Sequence, residues 1–165
     1  MDKTPFTHKK SLGQNFLTSP VVPGWMCDAA GITTGDRVLE IGPGTGALTS
    51  VLLERGAVVY ALETDERAVA VLTDTFKAAI ATGQLTLYHG DARTFAFTSI
   101  PGLTSPYKVV ANIPYYLSGF LLRTILELDQ PPTTLVFLMQ KEVVHRITRE
   151  EKASLLSLSV AVYGT

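Results

Sequence analysis

The sequence is short of cysteine, of excess charge and of long apolar runs, and each shortage removes a class of protein. A single cysteine, Cys27, among 165 residues excludes an internal disulfide framework and fits a reducing compartment. The three histidines, His8, His89 and His145, are scattered, with no HxxxH spacing, so no structural metal site is expected. No apolar run approaches the ~20 residues that cross a bilayer. No basic-apolar-small leader opens the chain. The expectation is a cytoplasmic, monomeric protein with no membrane partner. The formal net charge of −1 lacks the basic excess of a dedicated nucleic-acid module. Contact with nucleic acid would rest on local patches. One is Lys3, His8, Lys9 and Lys10; the other is Lys141, His145, Arg146, Arg149 and Lys152. The second also carries Glu142, Glu150 and Glu151, and reads equally well as a solvated helix face. There is no internal repeat or low-complexity segment. What is there is 46% hydrophobic and 18% charged, the balance of one globular domain with a proper core.

Strand-like and helix-like stretches alternate along the chain. Residues 1–17 form a basic arm, and residues 18–165 form the domain. Ser19-Pro20 reads as a helix start, with serine as N-cap and the helix running to about Ala30, weakened by Pro23-Gly24. Strands are expected at Arg37–Ile41, Ala57–Leu62, Leu85–His89, Tyr107–Ala111 and Thr133–Met139. The run Ala57–Leu62 is continuously apolar, as in a strand buried on both faces of a parallel sheet. Helices are expected from Gly46 to Arg55, from Glu66 to Ala81 behind an Asp65 cap, from a Ser118 cap to about Leu128, and from Lys141 to Arg149. The tail from Ala153 to Tyr163 fits strand or helix equally. The alternation implies βαβ crossovers, hence an α/β fold with a mainly parallel sheet and helices on both faces.

In such a sheet, ligands sit beyond the carboxyl ends of the strands. The first strand runs into Gly42-Pro43-Gly44-Thr45-Gly46, where glycine lets the backbone turn tightly or approach a ligand. Alone, such a turn is equally an ordinary loop. The spacing departs from G-x-G-x-x-G, the dinucleotide pattern. Glu63 follows the second strand, about 20 residues beyond the turn, where a carboxylate accepts ribose hydroxyls. Asp91 follows the third strand and suits either an adenine amine or an N-cap for Ala92-Arg93. Together they suit an adenosine, and the glycine spacing leans toward S-adenosyl-L-methionine. The fourth strand ends at Asn112-Ile113-Pro114-Tyr115. An exocyclic amine is a poor nucleophile because its lone pair is delocalised into the ring. The Asn112 side-chain oxygen and the Ile113 carbonyl supply two acceptors for its hydrogens. Pro114 restricts Ile113 to an extended conformation. Tyr115 offers a face on which a splayed-out base stacks. The bland reading of these four residues is a proline turn beside a core tyrosine.

Four segments, taken together, carry a family resemblance. They are Lys9–Leu17 (KKSLGQNFL), Glu40–Gly46 (EIGPGTG), Asn112–Tyr115 (NIPY) and Gln140–Ile147 (QKEVVHRI). With them the chain resembles the small-subunit ribosomal RNA adenine N6-dimethyltransferases from Lys9 to about Tyr163. The resemblance implies a Rossmann-like class I methyltransferase fold whose last two strands, together with a small basic helical domain that grips RNA, lie beyond this chain. It implies S-adenosyl-L-methionine held by Asn15 and Leu17 of the arm, by Gly42 and Gly44, and by Glu63, Asp91 and Asn112. It makes Asn112, Ile113, Pro114 and Tyr115 the catalytic set, and turns the arm into a flap. Lys9, Lys10, Lys141 and Arg146 would then face RNA. The implied activity is dimethylation of two adjacent adenosines in the hairpin loop near the 3′ end of 16S rRNA, with a checkpoint role in ribosome biogenesis. One departure is Tyr116-Leu117-Ser118-Gly119-Phe120, where a proline often follows the serine. The related macrolide-resistance methyltransferases of large-subunit rRNA share the glycine turn and the NIPY pattern; the Lys9–Leu17 arm favours the small-subunit branch. Two other classes remain as alternatives, an NAD-dependent oxidoreductase and a non-catalytic RNA-binding assembly factor. The glycine spacing and Asn112–Tyr115 argue against the first, and retention of Asn112 and Tyr115 argues against the second.

Overall fold

Five short β-rich stretches pair into one parallel sheet in a computed structural model that describes residues 19–103 and 106–139. The strands are β1 Arg37–Ile41, β2 Val58–Glu63, β3 Leu85–His89, β4 Lys108–Asn112 and β5 Thr134–Leu138, in the spatial order β3-β2-β1-β4-β5. Every pairing is parallel; Glu40 lies opposite Ala61 on one side and Val110 on the other. The helices are α1 Val22–Ala29, α2 Ala47–Glu54, α3 Glu66–Thr75, α4 Lys77–Ala81 and α5 Tyr115–Leu126.

Alternation along β1 divides the core. Val38 faces a cluster built with Met26 and Cys27 of α1 and Leu48 and Leu52 of α2. Leu39 and Ile41 face the other side, packing with Phe97, Tyr107 and with Leu121 and Ile125 of α5. Burial on both faces is why Ala57–Leu62 reads as a continuous apolar run. Arg55 joins α1 to α2, pairing with Asp28 at 2.7 Å and donating to the Gly24 carbonyl at 3.2 Å.

Several elements depart from the sequence reading. The first helix starts at Val22 with Val21 as N-cap, so Ser19 caps nothing. Pro23 lies in its first turn, where a missing N–H is no loss, and Gly31 closes the end at φ 57°. The helix expected from Glu66 to Ala81 breaks at Phe76, whose φ of −108° and ψ of 25° are not helical. The Asp65 cap is present and accepts from the Arg67 N–H at 3.1 Å. The last α-helix among the described residues begins at Tyr115 with Pro114 as N-cap, not at Ser118. The φ of Pro114, −56°, directs the chain straight into the helix, and Ser118 is buried one turn later with a hydroxyl that has no partner among the described residues. The second, fourth and fifth strands shift inward by one residue at their starts. The arm of residues 1–17, the helix Lys141–Arg149 and the tail lie outside the described residues. Among the described residues no helix is long and apolar enough to cross a membrane, and no cluster of three or more candidate metal ligands occurs.

The break at Phe76 and the glycine turn are one device. Gly46 is the N-cap of α2 at φ 90°, and a Cβ there would press into the Phe76 ring, within 2.9 Å of Cζ, and meet Leu72 Cδ2 at 3.0 Å. Position 46 thus needs glycine twice over, for its left-handed backbone and for the ring packed on it. Gly46→Ala is expected to destabilise the fold by roughly 2 kcal/mol or more, read as a lower urea midpoint. An unchanged midpoint would contradict that packing.

Candidate functional site

Because all the strands are parallel, their carboxyl ends gather at one edge of the sheet. β2 ends on Glu63, β4 ends on Asn112, and Asp91 follows β3. Beside them runs the turn leaving β1, held down where the Gly42 N–H donates to the Leu62 carbonyl at 2.9 Å. Together they line an open cleft of about 1030 Å³, counted out to solvent. Of the residues expected to act, the structure brings Gly42, Gly44, Glu63, Asp91, Asn112, Ile113 and Pro114 around this one cleft. Asn15, Leu17, Lys9, Lys10, Lys141 and Arg146 lie outside the described residues. Tyr115 opens α5, but its ring is outside what is described.

Glu63 is 4% exposed and ties the cleft together. Its Oε2 accepts from the Gly44 N–H at 2.9 Å, and its Oε1 accepts from the N–H groups of Thr64 at 2.8 Å and Asp65 at 2.9 Å. A carboxylate offers about four acceptor sites. Oε1 is full with these two bonds, and one site remains on Oε2. Glu63 therefore has room for one hydroxyl as it stands, and for a second only if the Gly44 N–H gives way.

Asp91 is engaged by its neighbour. Its Oδ1 accepts from the Arg93 backbone N–H at 2.9 Å, the capping geometry expected of it. The Arg93 Nε also reaches both carboxylate oxygens at 3.0 Å. The Arg93 guanidinium holds the Asp91 carboxyl below its ordinary range.

Glu40 is the buried carboxyl that motif reading absorbed without a role. It sits in mid-strand, 1% exposed, and lines the cleft. The Thr49 hydroxyl, on α2, donates to its Oε2 at 2.8 Å, while Oε1 has no partner among the described residues. Burial pushes its carboxyl up to about 8; Thr49 opposes the rise and Glu63 adds to it. A charged residue inside an otherwise apolar strand was the available signal. Arg93 and Tyr116, which also line the cleft, carried no spacing that singled them out.

The chain matches the sequence profile of the ribosomal RNA adenine dimethylase family over residues 5–163 and belongs to that family. It is 39% identical over 157 residues to the ribosomal RNA small subunit methyltransferase A of Dehalococcoides mccartyi, covering 94% of this chain and 53% of that protein. The chain thus spans about half the length of the curated relatives it matches. Among solved structures, a dimethyladenosine transferase from Plasmodium falciparum superposes with a TM-score of 0.74 at 29% identity, over 90% of this chain and 52% of that one. The 23S rRNA methyltransferase ErmE superposes with a TM-score of 0.68 at 25% identity, over 80% and 50%. The fold is that of the class I S-adenosylmethionine-dependent methyltransferases.

The buried Glu40 makes stability depend on pH. Its carboxyl titrates near 4.5 when unfolded and near 8 when folded, so the folded chain keeps a proton that the unfolded chain releases in between. Its contribution to stability therefore falls as pH rises through that window. Glu40→Gln removes the titration. The Tm of the variant minus that of the unaltered chain is expected to grow between about pH 5 and about pH 8. A constant difference would contradict a buried, proton-holding Glu40.

Proposed function

We propose that this chain is the cofactor-binding and catalytic part of an S-adenosyl-L-methionine-dependent enzyme that dimethylates N6 of two adjacent adenosines in the hairpin loop near the 3′ end of small-subunit rRNA, during ribosome biogenesis. The observation that carries the reading is the meeting of Asn112-Ile113-Pro114 with the carboxylates of Glu63 and Asp91 around one cleft.

The donor set fits this cofactor. The carboxylates of Glu63 and Asp91 line the cleft, and among its lining residues Arg93 is the one cation, itself paired with Asp91. Such a wall suits a ligand with a cationic sulfur and an ammonium group, and disfavours the pyrophosphate of a dinucleotide. The remaining Glu63 site takes a ribose hydroxyl, and Asp91 takes the adenine amine where the Arg93 side chain gives up one of its contacts to that carboxylate. When bound, the cofactor supplies an electrophilic methyl group on a positively charged sulfur.

The residues of the chain do the rest by position. The Asn112 side-chain oxygen and the Ile113 carbonyl accept the two hydrogens of the target amine. That draws its nitrogen toward tetrahedral geometry and frees the lone pair to face the methyl group. Pro114, at φ −56° and ψ 137°, fixes the backbone that carries the Ile113 carbonyl. No general base has to act before transfer. The similarity to small subunit methyltransferase A proteins and the Lys9–Leu17 segment support the small subunit as target rather than the large.

Asn112→Ala is expected to lower methyl transfer by about a hundredfold or more, with the thermal transition unchanged. The assay supplies labelled S-adenosyl-L-methionine to small-subunit rRNA particles and maps the modified nucleotide. A variant as active as the unaltered chain would overturn the role of Asn112. Methylation mapped to large-subunit RNA would overturn the assigned substrate.

A further inference from the structure

The outward face of α5 changes character along its length. Ser118, Leu121 and Ile125 point inward and are fully buried. The outward stripe, at helical spacing, is Tyr116, Phe120, Arg123 and Glu127, the last just past the helix end. At its far end it is ordinary for a solvated helix, since the Arg123 Nε donates to Glu127 Oε1 at 2.8 Å. At the cleft end it is aromatic. Tyr116 is 53% exposed and Phe120 is 45% exposed, and residues four apart on a helix are surface neighbours. Gly119 lies on the same side of the helix and adds no side chain between them, although glycine in a helix interior costs about 1 kcal/mol relative to alanine.

The aromatic end adjoins the cleft itself. Tyr116 lines it together with Asn112, Pro114 and Arg93. The Arg93 side chain, 59% exposed, stands on the same cleft lining. Its Nε and one terminal nitrogen serve Asp91, leaving the other terminal nitrogen pointed to no partner among the described residues. An exposed ring and a cation at the mouth of the cleft, with a second exposed ring one helical turn beyond, are the chemistry that recognises a single-stranded nucleotide: a base stacks on the ring and a phosphate meets the cation. Two isolated rings make a small patch for a protein partner, and confinement to the cleft end ties the occupant to whatever enters the cleft.

We propose that Tyr116 and Phe120 form a stacking step for the nucleotide adjoining the adenosine that enters the cleft, with Arg93 facing its phosphate. The inference rests on the RNA reading of the cleft and assigns two residues to the flanking, unmodified nucleotide.

The test uses this chain saturated with S-adenosyl-L-methionine and a hairpin RNA whose loop holds two adjacent adenosines flanked by 2-aminopurine. Binding is expected to quench the 2-aminopurine fluorescence. Phe120→Ala and Tyr116→Ala are each expected to weaken RNA binding about tenfold with Tm unchanged, and Phe120→Ala, outside the cleft lining, with cofactor affinity unchanged as well. Tyr116→Phe and Phe120→Tyr keep a ring and should bind as the unaltered chain does. RNA binding that is indifferent to both rings overturns this inference alone. A drop in Tm on truncating either ring also overturns it, because the ring is then packing against the chain. An unaltered chain that binds no RNA overturns this inference, since the two rings are then no RNA site of this chain; the proposed function is judged separately by the methylation assay.

Discussion

The cleft depends on one carboxylate. Glu63 is buried at the end of β2 and accepts three backbone N–H groups, one from the glycine turn after β1 and two from its own strand exit. Bonds from N–H to an ionised acceptor are about twice as strong as neutral ones, and a buried carboxylate without them would be costly. The arrangement fixes the path of the turn relative to the neighbouring strand. It also presents the same side chain to the cleft with an acceptor site to spare. Structure and binding therefore share the residue. The Gly90 N–H, bonded to the Glu63 carbonyl at 2.9 Å, extends the tie to the end of β3 and so to Asp91.

Around that tie, the sheet does the positioning. Parallel pairing aligns the strand ends, so residues far apart in the chain arrive at one edge. The Phe76 ring and Leu72 fill the space a side chain at position 46 would occupy, pinning the start of α2 against the α3–α4 junction. Thr49, one turn into α2, then reaches Glu40 in β1. Above the cleft, Pro114 ends the β4 exit and launches α5 without a gap, which carries Tyr116 to the rim and Ser118 into the core.

Much of the fold was legible because the parallel sheet writes itself as apolar runs. Arg37–Ile41 and Leu85–His89 appear at their expected bounds, and Glu63 and Asp91 mark the ends of the second and third strands at the cleft. What was not legible depends on contacts distant in sequence. Phe76 breaks a helix that its own neighbours favour, because its ring packs on Gly46 thirty residues earlier. Ser118 looks like a cap by composition, yet Pro114 has already started the helix. In the cleft, Gly42, Glu63, Asp91 and Asn112 could be read from spacing and strand phase. Glu63's three backbone donors could not, nor could the Arg93 grip on Asp91 or the lone oxygen of Glu40, since these are facts of side-chain geometry.

The account's central claim is that this edge of carboxylates receives an adenosyl ligand that carries positive charge and no phosphate. The most direct measurement is a calorimetric titration of the chain with S-adenosyl-L-methionine, with NAD in a parallel cell, repeated on Glu63→Gln. The account predicts saturable binding of S-adenosyl-L-methionine, none of NAD, and about tenfold or greater loss of affinity in the variant. Preference for NAD, or S-adenosyl-L-methionine affinity indifferent to Glu63, would contradict it.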